Sequence, residues 1–120
     1  MLEEITEDGI KILVDRFYGK IRKDSELGPI FNSAIPEAAW PAHLSKLCDF
    51  WSSVMLKTGR FNGNPPRKHM ELPPFPPALF DRWLKLFADT AKEIFSPLVA
   101  HEFINRSEII AEALKYKLYA

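Results

Sequence analysis

The sequence predicts an all-α fold built from four long helices and several shorter ones. Along four separate stretches, apolar residues recur at intervals of three and four, which is the period of an amphipathic helix. No stretch shows the alternation of apolar and polar residues that is typical of a half-buried strand. Six of the ten prolines fall between residues 59 and 77, so this middle segment cannot form a long helix.

The first predicted helix runs from about Thr6 to Lys23 and presents one apolar stripe. Residues 25–35 are expected to form a short, irregular segment, because Gly28 and Pro29 interrupt helices, with Phe31 as its apolar anchor. The stripe of the first helix consists of Ile10, Leu13, Val14, Phe17, Tyr18 and Ile21.

The second predicted helix spans about Pro36 to Thr58, and Gly59 is expected to end it. One turn of helix is expected between Pro66 and Leu72. The inner face of the second helix consists of Trp40, His43, Leu44, Leu47, Trp51, Val54 and Met55.

Two further helices are predicted at the C-terminal end, about 77–95 and 97–118. Ser96 and Pro97 form an N-cap followed by a first-turn proline. The inner residues of the third helix are Phe80, Trp83, Leu84, Phe87, Ala91, Ile94 and Phe95. Those of the last helix are Val99, Phe103, Ile110, Ala113 and Leu114.

Length and charge narrow the possible functions. The 120 residues suit a single domain over 1–120, and the net charge of +0 makes nucleic acid an unexpected partner. No apolar run approaches the roughly 20 residues of a membrane span. The N-terminus does not resemble a signal peptide, and Cys48 is the only cysteine. A cytoplasmic protein with an unreactive thiol is expected.

His69 lies in the proline-rich segment, between Arg67-Lys68 and Leu72. Taken alone it is a loop histidine. However, Leu72 and Phe75 need an apolar surface, and the prolines stiffen the segment at low entropic cost. A rigid segment that presents one imidazole to an apolar interior suits an axial haem ligand. The third histidine, His101, is expected on the surface.

Tyr18, His43 and Trp83 form a second group of candidates, each on the inner face of a different helix. Each combines an apolar body with a hydrogen-bonding tip. Each is also compatible with an ordinary core residue that bonds a nearby carbonyl. Together, however, three donors at one place would suit a polar ligand.

Two linked motifs resemble the third group of truncated haemoglobins. These are His-x-x-Leu-Pro-Pro-Phe over residues 69–75 and Phe-x-x-Trp-Leu-x-Leu-Phe over residues 80–87. The stretches 17–24, 27–31, 50–51 and 61–65 resemble the same family, so the similarity covers nearly the whole chain. The resemblance implies a shortened globin fold, a two-over-two helical sandwich around haem b (iron protoporphyrin IX).

The resemblance also implies roles for individual residues. His69 matches the proximal histidine that binds iron, and Tyr18, His43 and Trp83 match the residues around the bound ligand. Phe31 matches the phenylalanine that wedges against the porphyrin, and Leu47 matches a distal apolar residue. Arg67 and Lys68 either pair with the haem propionates or form a solvated basic patch.

The expected function is the binding of oxygen and other diatomic ligands, nitric oxide and carbon monoxide among them. Nitric oxide dioxygenation or peroxide reduction, with a reductase as partner, is a possible activity. A haem-based ligand sensor or store is one alternative. A helical interaction module without a cofactor is another, in which His69 and Trp83 are packing residues only.

Overall fold

The computed structural model describes residues 1–61 and 76–119. Within these residues the chain is helical, without strands, and the predicted all-α class is confirmed. A 3-10 turn over Glu37–Ala39 precedes the third helix. The helices are α1 (Glu7–Lys23), α2 (Leu27–Ala34), α3 (Trp40–Leu56), α4 (Ala78–Ile94) and α5 (Pro97–Tyr119).

Helix α1 forms as the sequence predicts. The Thr6 side chain caps it by accepting the Gly9 N–H at 3.0 Å, and Glu7 and Asp8 lie in the first turn, where negative charge stabilises a helix. Its six predicted stripe residues are all buried. The helix therefore buries Tyr18 in the interior.

Helix α2 lies where the sequence predicts an irregular segment, because Gly28 and Pro29 ordinarily interrupt a helix. Both lie in its first turn, where backbone N–H groups have no intrahelical acceptor and a proline removes nothing. The Asp24 carboxylate accepts the N–H groups of Glu26 and Leu27, at 3.1 and 2.9 Å, and so starts the helix. A Cβ at Gly28 would lie 2.7 Å from the Arg22 carbonyl oxygen, so this close approach requires glycine.

Helix α3 starts and ends at different residues from those predicted. It begins at Trp40, after the 3-10 turn, and ends at Leu56 with Lys57 in the left-handed conformation (φ 56°). Gly59 (φ 72°) lies beyond the end of the helix and does not cap it. The chain then turns back over the last turn, where the Phe61 N–H donates to the Ser53 hydroxyl at 2.8 Å.

Helices α4 and α5 lie within one or two residues of their predicted bounds. The main difference is Ala113, which was predicted to face inward but is exposed. The buried stripe passes instead through Ser107 and Ala111. Ser107 is tolerated there because its hydroxyl donates to the Ile104 carbonyl at 2.7 Å.

The core lies where α1 packs against α3 and α4, and α4 packs against α5. Its centre is a set of stacked aromatic rings that we call the Trp51 cluster: Trp51, Phe87, Phe95 and Phe103. Trp51 stacks on Phe87 with 5.1 Å between ring centroids, and Phe95 stacks on Phe103 at 4.7 Å. Phe103 in turn lies 5.8 Å from Trp51.

The free Cys48 is half-buried on α3. Burial raises the pKa of its thiol, which makes the nucleophilic thiolate scarce at neutral pH. The environment of Cys48 thus agrees with the unreactive thiol that the sequence predicts.

Candidate ligand-binding site

Tyr18 is the centre of a second aromatic group, which we call the Tyr18 cluster: Tyr18, Phe31, Trp40 and His43. Measured between ring centroids, Tyr18 lies 6.3 Å from Phe31, 6.2 Å from Trp40 and 6.2 Å from His43. The cluster forms because the stripes of α1, α2 and the start of α3 converge. Its rings meet edge to face or tilted.

Trp83, on α4, lies beside the Tyr18 cluster. Phe17 lies between the two, 4.9 Å from Tyr18 and 5.4 Å from Trp83. Burial raises the pKa of the Tyr18 phenol, and a hydrogen bond with the Trp83 side chain acts in the opposite direction. Since burial dominates, Tyr18 keeps its proton at neutral pH and remains a hydrogen-bond donor.

His43 is half-buried on α3, where its ring stands edge-on to both Tyr18 and Trp40 at 89°. Burial lowers the pKa of the imidazole, and the positive charge of Lys46 lowers it further. His43 is therefore neutral at pH 7, with one nitrogen that donates and one that accepts. The ring keeps partial contact with solvent, unlike Tyr18.

Trp40 is a member of this cluster to which the sequence analysis gave no site role. Its side chain is 2% exposed, and its indole N–H has no acceptor among the residues the structure describes. The ring lies 5.5 Å from that of His43, and the Arg22 guanidinium lies 4.6 Å from its centroid. The available signal in the sequence was its position, three residues before His43 on the same helix face.

An ion pair holds together the helices that carry these side chains. Arg82, the neighbour of Trp83, donates from Nε and from the terminal guanidinium nitrogen to the Asp24 carboxylate at 2.7–2.9 Å. The Asp24 side chain is only 7% exposed. Arg82 holds the pKa of Asp24 at about 2, with the two backbone N–H groups at the start of α2 acting in the same direction. One carboxylate thus joins α1, α2 and α4.

The structure places some of the candidate residues and leaves others outside its range. Phe31 is buried against Tyr18, and Leu47 is half-buried against the core, one turn beyond His43. The predicted axial ligand His69, the basic residues Arg67 and Lys68 and the short turn after Pro66 lie outside the described residues. His101 is exposed, as the sequence predicts.

The arrangement concentrates neutral hydrogen-bonding tips among aromatic walls. Tyr18 supplies a donor, the Trp83 side chain hydrogen-bonds Tyr18, neutral His43 supplies a donor and an acceptor, and the Trp40 N–H is unpaired among the described atoms. Buried donors of this kind cost free energy unless they meet an acceptor. The site is therefore suited to a small ligand with acceptor atoms.

Comparison with known proteins gives the class of protein. The chain is 39% identical over 119 residues, 98% of its own length and 94% of the relative's, to the group 3 truncated hemoglobin ctb of Campylobacter jejuni. The crystal structure of the group III truncated hemoglobin from Campylobacter jejuni superposes with a TM-score of 0.92 at 38% identity, covering 99% of this chain and 96% of that one. No family model matches the chain.

The fold and the site therefore define a truncated globin, and the chain belongs to the group 3 truncated haemoglobins. The expected family and the shortened globin fold are both confirmed. Among the described residues, no helix is long and apolar enough to cross a membrane.

Proposed function

We propose that this chain binds haem b (iron protoporphyrin IX) with His69 as the axial ligand, and that it binds oxygen and other diatomic gases on the side of Tyr18. Membership in the truncated haemoglobins supports the cofactor. Gas binding on the side of Tyr18 is supported by one observation, the convergence of hydrogen-bonding aromatic side chains around Tyr18.

The residues of the Tyr18 cluster fit a haem group. A flat porphyrin needs aromatic and apolar walls, and a gas ligand needs a few donors at one place. Buried Phe31 and half-buried Leu47 supply apolar contacts, while the Trp40 N–H, which has no acceptor among the described residues, marks a place where an acceptor belongs. Arg67 and Lys68 would pair with the propionates. When bound, haem supplies an iron that takes a diatomic gas as its ligand.

Tyr18 and Trp83 are proposed to retain the gas ligand. The raised pKa of Tyr18 keeps its hydroxyl protonated, so it donates toward an acceptor that carries partial negative charge. Oxygen gains more from such donors than carbon monoxide does, because bound oxygen is the more polar ligand. Strong retention suits oxygen chemistry or storage better than oxygen delivery.

His43 is proposed to control ligand entry. It is the member of the cluster that keeps partial solvent contact, since Tyr18, Phe31 and Trp40 are buried. Tyr18 and Trp83 already supply two donors, which is enough for a diatomic ligand. A neutral imidazole at the edge of the site can close it, and a charged one is drawn toward water.

Redox chemistry is a second candidate function, favoured by the same Tyr18 and Trp83 donors. Nitric oxide dioxygenation and peroxide reduction both benefit from donors that polarise an oxygen–oxygen bond. Either activity requires electrons to restore the iron, so a cytoplasmic reductase is the proposed partner. A ligand sensor or store would use the same site without turnover.

A haem titration of the purified chain tests the proposal. Wild type is expected to bind one equivalent of haem and to show a Soret band, whereas His69→Ala should lose stable haem retention. The matched control is His101→Ala, which removes an exposed histidine and should bind as wild type does. A His69→Ala variant with unchanged haem affinity would exclude His69 as the axial ligand. A wild type that takes up no haem would instead support the cofactor-free module.

A further inference from the structure

The indole N–H of Trp40 is the buried side-chain donor that has no acceptor within residues 1–61 and 76–119. A buried N–H without an acceptor costs about 1–3 kcal/mol, and nearly all such groups in native proteins have a partner. Trp40 is 2% exposed, so bulk solvent does not supply one. The missing acceptor must therefore come from something other than these residues.

The neighbours of Trp40 indicate where that acceptor lies. Its ring centroid lies 5.5 Å from that of His43 and 6.2 Å from that of Tyr18. The proposed function places Tyr18 beside the gas ligand and His43 at the entrance to the same site. An acceptor atom held beside Tyr18 and His43 therefore also lies near the Trp40 ring.

Arg22 makes the Trp40 N–H a stronger donor. Its guanidinium lies 4.6 Å from the centroid of the indole ring, and a cation over a ring attracts the π electrons. The guanidinium is fixed there by an ion pair with Glu37 and by a hydrogen bond from Nε to the Asn32 side-chain oxygen at 3.1 Å. The N–H of the polarised ring therefore donates a stronger hydrogen bond to an acceptor.

We infer that Trp40 is a third ligand-side donor, whose indole N–H bonds an oxygen atom held beside Tyr18 and His43 in the haem-loaded protein. That atom belongs either to the bound diatomic gas or to a water molecule that the gas displaces. The inference rests on the proposed function, because both sources occupy the ligand side of haem. If that atom belongs to the gas, Trp40 is a specificity-determining residue, since a third donor favours oxygen over carbon monoxide.

The test compares Trp40→Phe, which removes the N–H and keeps an aromatic ring, with Trp51→Phe. Trp51 is buried on the same helix and stacks on Phe87 in the core, so its substitution removes the same volume outside the Tyr18 cluster. If Trp40→Phe folds poorly, Trp40 is replaced by its benzothiophene analogue, in which sulfur stands in place of the N–H. Each haem-loaded protein is examined by infrared spectroscopy of its carbon monoxide complex and by flash photolysis.

The two sources of the acceptor give different results. If the acceptor is the gas ligand, Trp40→Phe raises the C–O stretching frequency and speeds oxygen dissociation about two- to tenfold, the equivalent of one hydrogen bond. If it is a displaced water, carbon monoxide association speeds up by a similar factor while the C–O band stays unchanged. Either result supports Trp40 as a ligand-side donor.

The inference is overturned if Trp40→Phe and the benzothiophene analogue keep the wild-type C–O band, association rate and dissociation rate. It is also overturned if Trp51→Phe changes these quantities equally, because the effect then comes from lost packing volume. Failure of the proposed function is a separate outcome, in which wild type binds no haem in the titration. If wild type binds haem and Trp40→Phe behaves like wild type, only the inferred role of Trp40 is excluded.

Discussion

The Tyr18 cluster and the Trp51 cluster use the same kinds of side chain for different ends. In the Trp51 cluster, two contacts bring flat faces together, Trp51 on Phe87 and Phe95 on Phe103, both at 16°, and a tilted contact at 52° links Trp51 to Phe103. In the Tyr18 cluster the rings meet at 50° to 89°, and three of the four carry polar atoms. Stacked faces fill space, whereas edge-on rings bring polar tips together. Burial alone therefore does not distinguish the two clusters, but the stacked ring pairs of the one and the larger number of polar tips in the other do.

Trp83 and Phe17 connect the two clusters. Trp83 stacks on Phe87 at 11° and hydrogen-bonds Tyr18, and Phe17 lies against both Tyr18 and Phe87. The core thus holds a proposed ligand donor, Trp83, in place, and such support is how a site gains precise geometry. The comparison predicts that substitutions in the Trp51 cluster change stability, whereas those in the Tyr18 cluster change ligand kinetics.

The largest effect is expected for Phe103→Ala in the Trp51 cluster. Phe103 is fully buried and contacts Trp51 and Phe95, so its truncation should lower the free energy of unfolding by about 3–5 kcal/mol. The measurement is urea unfolding followed by helicity, in the haem-loaded and the haem-free protein. Oxygen dissociation should change little in the folded fraction. A large kinetic effect with unchanged stability would contradict the division between the two clusters.

Tyr18→Phe and Trp83→Phe should show the opposite pattern. Each removes one donor to a partly charged acceptor, worth about 1–2 kcal/mol, so oxygen dissociation should speed up about five- to thirtyfold. Carbon monoxide dissociation should respond less. Stopped-flow measurements of both gases make the comparison, with Phe17→Leu as a control that alters packing between the two donors without removing one. Equal changes for both gases would indicate steric access in place of hydrogen bonding.

The sequence predicts most of this fold because the helices are long and their stripes are regular. The helical period of the apolar residues is enough to predict helix α1 and the inner residues of α4. Helix α2 was missed because a proline is harmless only in a first turn, and that register depends on the Asp24 carboxylate as a cap. The end of α3 at Lys57 was mispredicted because the left-handed residue that ends a helix is usually glycine, whereas here a lysine adopts that conformation two residues before Gly59.

The sequence indicates that the candidate side chains face inward, but it does not indicate how they meet. The helical period of the apolar residues places Tyr18, His43 and Trp83 on inner stripes. Their convergence around Tyr18 depends on how the helices pack, which the period does not give. Trp40 was placed on the inner face of α3 but not in the site, because an unpaired N–H is a property of three-dimensional neighbours. The Asp24–Arg82 ion pair joins residues 58 positions apart, and nothing in their local sequence indicates it.

The smallest expected effect concerns His43, which differs from the rest of the Tyr18 cluster by its partial solvent contact. Because burial and Lys46 lower its pKa, the imidazole charges only below its ordinary value of 6.5. The charged ring should move toward water, so carbon monoxide association should rise as the pH falls below about 6.5. Above that value association should be constant, since the neutral form already prevails there.

The measurement is flash photolysis of the carbon monoxide complex from pH 5 to 8, in wild type and in His43→Leu. The variant removes the titrating group and keeps an apolar side chain, so its association rate should not depend on pH. His101→Ala is the matched control, because it removes an exposed histidine on α5 and should keep the wild-type profile. A flat wild-type profile that His43→Leu reproduces would exclude the gate. If the variant instead changes oxygen dissociation and leaves association unchanged, His43 acts on the bound ligand as a donor, and it belongs with Tyr18 and Trp83.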